Sequence, residues 1–430
     1  MSQSKNFEVP VNLINEIVSN SQIPAISDVE QIINEAKTRE LNLSEINSLI
    51  NAIGSSEFNK IKSKVLKVSQ KLREEVFGKK VHTMAPVEVS NFCMSDCVFC
   101  GWRASNKSMN RLRMPKELIL EQIKYLINKG IYTIELVGGD DIEFVRDKLP
   151  ILIKEVRKMF PPGIKGRIII CTMALTDKQY QHLKKIGADG VITWQETYSK
   201  ELYNKSIVAG PKAFGITDSF KIVKQGDGFT FRLQSQDRAY KAGLQVALGT
   251  MIGFNENLAF EILATICHAK HFINNYSIDE SNPVIIGMPT WNTITTKDTD
   301  NRPIDHESIE PYFSYISALY FLACPKSKVW VFPNCRVSLP TQIEAVATSG
   351  YFTSTEVKVG PGGYLKSAIE NMEEEKKERI ISFIKENMDK LSARDEDIFG
   401  LLDRMEQFNH TYHLHEKYIE SFKEYGIELD

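Results

Sequence analysis

Pro86-Val87-Glu88-Val89-Ser90-Asn91-Phe92-Cys93-Met94-Ser95-Asp96-Cys97-Val98-Phe99-Cys100 is a short β-branched run followed at once by three cysteines spaced C-x3-C-x2-C. Three thiolates in that spacing hold three irons of a 4Fe–4S cluster. Electron-transfer ferredoxins add a fourth cysteine, and the nearest further one here is Cys171. One iron is therefore open to bind a ligand and pass it an electron, which points to an enzyme. A structural zinc site would want four ligands, usually as two separated pairs, and no partner pair accompanies Cys93, Cys97 and Cys100.

Working outward from this run, the same texture repeats. Apolar runs lie at Pro86–Val89, Thr133–Val137, Arg167–Cys171, Gly190–Trp194, Leu244–Ile252, Val284–Met288, Lys328–Phe332 and Tyr351–Val357. Helical patterns separate them, such as the one that starts at Pro115, places Ile119, Ile123 and Leu126 on one face and stops at Gly130. Eight β/α units in about 280 residues predict a (β/α)8 barrel of the α/β class, whose chemistry sits at the C-terminal ends of the strands. The cysteine loop follows the first strand, where that rule wants it.

The flanks read as helices. Asn42 with Glu45 forms a capping box before Ile46, Leu49 and Ile50, Gly54 stops that helix, and a second runs from Glu57 to Val76. After Tyr364 the chain is helical and charged, and Glu373–Arg379 reads as a solvated helix face. The expected organisation is a helical N-terminal extension over 1–80, the barrel over 81–365 and a helical C-terminal extension over 366–430. His410, His413 and His415 share no helix face and read as surface.

Of 430 residues, 42% are hydrophobic and 25% charged, with a net charge of -2. That balance offers no electrostatic footprint for nucleic acid or an anionic membrane. No run of about 18 apolar residues occurs, and Met1–Pro10 lacks a secretory signal pattern. Three clustered and four scattered cysteines are not a disulfide framework. The expectation is a cytoplasmic protein.

The cysteine run, with aromatic Phe99 before the last cysteine, resembles the signature of the radical S-adenosylmethionine (SAM) superfamily. The resemblance implies that the open iron chelates SAM, whose reductive cleavage yields a 5'-deoxyadenosyl radical that takes hydrogen from substrate. Further runs resemble that family's cofactor contacts, in order. Gly138-Gly139-Asp140 is similar to a Gly-Gly-Glu motif, with a shorter acid. Gln195-Glu196-Thr197-Tyr198 closes the fourth strand, Arg232 matches an arginine used on the cofactor carboxylate, and the run Gly249–Gly253, with Ile252, is similar to one beside adenine.

Lys80–Pro86, the Gln-Glu-Thr-Tyr run and Arg238–Gly243 resemble the branch of aromatic amino-acid lyases that act on tyrosine or tryptophan. The likeness covers about residues 40 to 365 and implies a small amino-acid substrate, reduced flavodoxin or ferredoxin as electron donor, and carbon–carbon cleavage or rearrangement. Arg336 occupies the place of that branch's substrate-carboxylate anchor, with Ser354 and Thr355 as hydroxyls beside it. Two departures count. Glu88 stands where the tyrosine lyases have tyrosine, and with Ser90, Asn91, Gly101, Arg103 and Asn106 it resembles the mutase and maturase branch. Met288–Asn292 replaces a Pro-Arg-x-Arg run. Cys171, a single cysteine at a strand end, reads as core packing.

Overall fold

The computed structural model describes residues 6–278, 280–292, 309–370, 372–388, 405, 407–408 and 412–430. Each expected strand is found: β1 (Lys80–Ser90), β2 (Thr133–Gly138), β3 (Arg167–Cys171), β4 (Gly190–Ile192), β5 (Gln245–Leu248), β6 (Val284–Met288), β7 (Val329–Pro333) and β8 (Phe352–Ser354). They lie in the order β8-β1-β2-β3-β4-β5-β6-β7, all parallel. The ring is nearly closed by a single bridge between Val331 and Gly350, where the Tyr351 N–H donates to the Val331 carbonyl at 3.2 Å.

Alternation along each strand divides the molecule into two apolar layers. Met84, Ile169, Ile192, Ala247, Ile285, Trp330 and Phe352 fill the barrel floor. Val87, Ile134, Leu136, Ile168 and Ile170 face outward into the shell of helices. The expected fifth strand is cut short at Leu248. Gly249 has φ 149°, and a Cβ there would lie 2.3 Å from the Gly287 carbonyl oxygen. Beyond it the chain continues only through the bridges Glu196–Thr250 and Ile252–Thr290.

The capping box at Asn42 is present, with the Glu45 N–H donating to Asn42 Oδ1 at 3.0 Å and the Asn42 N–H to Glu45 Oε2 at 2.8 Å. The second expected helix is Phe58–Phe77. Its buried Arg73 donates to the carbonyls of Gly350 (3.1 Å), Gly78 (2.6 Å) and Lys80 (2.6 Å), tying the N-terminal helices to the underside of the barrel.

The C-terminal extension is more than a solvated surface. The charged helix Glu374–Met388 does expose its acidic start. Farther on, β9 (Glu428–Leu429) adds beside β1 at Lys80 and Val81, and Thr83 donates to the Asp430 carbonyl at 2.9 Å. The surface reading of the histidines needs correction. His415 is buried, with its Nδ1 2.9 Å from Thr355 Oγ1; His413 is half-buried, and His410 lies outside the described residues. The charge of the neighbouring sequence masked an apolar face, since Tyr418 and Phe422 of the same helix pack on Ile343, Val346 and Ala347.

Candidate active site

The loop after β1 is held by its own polar side chains. Asn91 donates to the Asn110 carbonyl at 2.7 Å and accepts from the Leu112 N–H at 2.6 Å. The Arg111 guanidinium donates to the carbonyls of Asn91, Trp102, Arg103 and Asn106 at 2.6 to 3.0 Å. Asp96–Cys97 also pairs antiparallel with Ile207–Ala209. So pinned, the loop brings Cys93, Cys97, Phe99 and Cys100 to one cavity at the mouth of the barrel, together with Gly138, Gly139 and Asp140 from the end of β2.

Burial pushes all three thiols above their ordinary pKa; at Cys97 the Lys212 charge opposes this and at Cys100 a hydrogen bond from Gln407 does. Such thiols are ready for a metal centre that takes the proton's place. Two donors serve the sulfurs: the Asp140 N–H points at Cys93 Sγ (3.4 Å) and Gln407 Nε2 at Cys100 Sγ (3.2 Å). Gly139 is the cradle, because a Cβ there would sit 2.3 Å from the Phe92 carbonyl oxygen and 2.9 Å from Cys93 Cβ. Among the described residues no three His, Cys, Asp or Glu side chains converge on one ion position.

On the β4 side, Glu196 is held at φ 69°, a left-handed conformation that costs a non-glycine residue about 1 kcal/mol or more. It is fixed by its carbonyl, which accepts from the Met251 N–H at 2.9 Å. The turn aims its carboxylate at Lys212 Nζ and Arg232 Nη2, the latter at 3.5 Å. Burial alone would raise the Glu196 pKa, yet Lys212 and Arg232 hold it below the usual carboxylate range. Arg232 also donates to the Trp194 carbonyl at 2.5 Å; burial lowers its pKa, but the negative partners Glu196, Tyr203, Asp140 and Cys97 together hold it above its ordinary value. Thr172 Oγ1, buried at the cavity wall, has no hydrogen-bond partner among the described residues. Paired charges, a free hydroxyl and an arginine fork suit an amino acid moiety such as that of SAM.

The remaining expected contacts separate. Asp140 lines the cavity with its carboxylate bonded to the Ser95 hydroxyl. Gln195, Gly249 and Ile252 do not line it. The Gln195 side chain is buried with Nε2 unpartnered, and Gly249 and Ile252 shape the wall through backbone bonds to Gln195 and Pro289.

Arg336, Glu88 and Ser354 line the same cavity. The Arg336 guanidinium lies 4.0 Å from the Phe408 ring centroid and 3.4 Å from the Thr290 carbonyl, and burial lowers its pKa. Glu88 accepts from the Gly360 N–H. Thr355 departs from expectation: alternation after Ser354 turns its hydroxyl outward to His415, away from Arg336. Cys171 packs on the barrel-floor residues as expected and also lines the cavity beside Glu135. The sequence reading missed Lys212, Glu135, Gln407 and Phe408. Only Glu135 carried a local signal, an acid inside an otherwise apolar strand.

Residues 87–264 match the model of the Radical SAM superfamily. Among curated relatives, the [FeFe] hydrogenase maturase subunit HydE of Thermotoga maritima is 31% identical over 144 residues, 33% of this chain and 39% of that protein. The 2-iminoacetate synthase of Escherichia coli is 26% identical over 237 residues, 54% of this chain and 55% of that protein. The chain thus spans from about two fifths to just over half the length of these relatives. The FeFe-hydrogenase maturase HydG from Carboxydothermus hydrogenoformans shares the fold, with TM-score 0.74 and 22% identity over 97% of this chain and 82% of that one.

Proposed function

We propose that this protein is a radical SAM enzyme acting on a small amino acid, aromatic in the first instance, by hydrogen abstraction followed by carbon–carbon cleavage or rearrangement. One observation carries the reading. The three thiols, the Glu196–Lys212–Arg232 cluster and the half-buried Arg336 line one cavity. The likeness to 2-iminoacetate synthase and to HydE supports the lyase and maturase branches.

When bound, the cluster and SAM supply an electron and a carbon-centred radical. The chain's own residues do the rest. Cys93, Cys97 and Cys100 would hold the irons, with the Asp140 N–H donating to the Cys93 sulfur and Gln407 to the Cys100 sulfur. Arg232 and Lys212 would take the cofactor carboxylate, and Glu196 and Asp140 its amino group. Arg336 anchors the substrate carboxylate with Ser354 beside it, while Phe408 and Trp102 keep bulk water from the reacting atoms. We place residues 1–80, 81–365 and 366–430 as extension, barrel and extension, and the protein in the cytoplasm with reduced flavodoxin or ferredoxin as donor. Among the described residues no helix is long and apolar enough to cross a membrane. Glu88 favours a second reading, a mutase or maturase on a non-aromatic amino acid.

The test is anaerobic reconstitution and reduction, then incubation with SAM and tyrosine, tryptophan or no amino acid. Acceleration of 5'-deoxyadenosine formation by one amino acid, lost in Arg336→Ala, supports the reading. Normal turnover and affinity in Arg336→Ala would remove the anchor.

A further inference from the structure

Glu135, an acid of the cavity, has no role in the mechanism above. Glu135 sits midway along β2, its neighbours Ile134 and Leu136 packed outward, and it faces the barrel interior at 7% exposure. Its partners in register are Pro86 on β1 and Ile169 on β3, apolar company for a carboxyl. Among the described residues its hydrogen-bond partner is the Cys171 thiol, and no lysine or arginine forms an ion pair with it. The other cavity acids differ. Glu196 is paired with Lys212, Asp140 is bonded to Ser95, and Glu88 accepts from the Gly360 N–H.

Burial raises the Glu135 pKa to about 7, with Cys171 and the more distant Arg336 offsetting only part. A buried carboxyl with one thiol for company is costly, and a cation delivered to it recovers that cost. Glu88, two residues beyond Pro86 on the same inward face of β1, adds a second negative group diagonal to it.

We propose that Glu135 receives a protonated amine of the substrate, so that the substrate spans the cavity with its carboxylate on Arg336 and its amine on Glu135. The substrate class is then an acid that carries an amine, and Glu135 is a specificity-determining residue. The assignment rests on the amino-acid reading above. The amine belongs either to the α-carbon or to the side chain, and the chemistry of recognition is the same.

The experiment is equilibrium dialysis on the reconstituted protein with SAM and no reductant, so that nothing turns over. The probes are L-tyrosine against 3-(4-hydroxyphenyl)propionate, and L-lysine against L-norleucine and 6-aminohexanoate, on wild type, Glu135→Gln and Glu135→Asp. The expected result is at least tenfold weaker binding when one amine is deleted from a probe. That difference should shrink below threefold in Glu135→Gln, with the deaminated probe unaffected, and be partly kept in Glu135→Asp. Which amine matters names the source. If parent and deaminated acids bind wild type alike, or the discrimination survives Glu135→Gln, the assignment falls while the amino-acid reading stands. If no acid binds while SAM still does, that reading falls and takes the assignment with it. Should Glu135→Gln not fold, the wild-type and Glu135→Asp comparisons decide.

Discussion

Cys97 illustrates what a buried thiol demands of its surroundings: burial raises its pKa and the Lys212 charge pulls it back. Replacing any one of Cys93, Cys97 and Cys100 by alanine should drop reconstituted iron from about four per chain to below one, read by iron analysis and by loss of the visible iron–sulfur absorbance. Lys212→Ala should weaken SAM binding about tenfold, roughly 1.4 kcal/mol, because Glu196 then lies buried with Arg232 alone. Dialysis with labelled SAM checks it, and unchanged affinity would remove Lys212 from the cofactor site.

His268 carries a pH dependence. It stacks on Phe7 with centroids 4.1 Å apart, bonds the Tyr198 hydroxyl at 2.8 Å, and burial depresses its pKa from 6.5 to about 3. Between those values the unfolded chain binds the proton and the folded chain does not, so stability rises with pH across that window and is complete above it. From pH 7 to pH 5 this group should remove about 2 kcal/mol. Urea unfolding of wild type and His268→Gln at both pH values should show the variant losing that much less.

At the scale of elements, Arg73 joins the Phe58–Phe77 helix to the barrel, beside the stacking of Phe77 on Tyr351 and the Lys62–Glu344 ion pair. Arg73→Met should cost about 3 kcal/mol, since three carbonyls lose a charged donor in a buried setting. Chemical denaturation measures it, and a loss below about 1 kcal/mol would mean that the carbonyls find water. The eight strands were legible because parallel strands buried on both faces read as continuous apolar runs. Their ends were not. Gly249 stops β5 through contact with Gly287, thirty-eight residues on, which no local pattern announces. Thr355 was misplaced for a related reason, since a register step of one residue moves a hydroxyl from cavity to helix shell. Lys212 has no periodic signal at all. It reaches Glu196 because Gly210, at φ 84°, turns the chain tightly against Met94 and Ser95.

At the scale of the molecule, the cavity is assembled from distant stretches. Trp102 Nε1 donates to the Met405 carbonyl at 2.9 Å, and Gln407 and Phe408 lie over the cysteine loop and Arg336. Phe408→Ala should raise the substrate concentration needed for half-maximal rate several-fold, with slow cofactor cleavage without substrate retained. Equal loss of both would instead signal a collapsed cluster. The cofactor side was readable in the sequence because it is written in one contiguous motif and a few strand ends. This lid was not, because its residues are ordinary in type and acquire meaning only by where they land.

The Gln407–Cys100 contact spans 307 residues, and the Thr83–Asp430 contact spans 347. During translation the cysteine loop leaves the ribosome long before the residues that shelter it. A nascent chain therefore presents the three thiols before Gln407 and Phe408 have emerged to complete their surroundings.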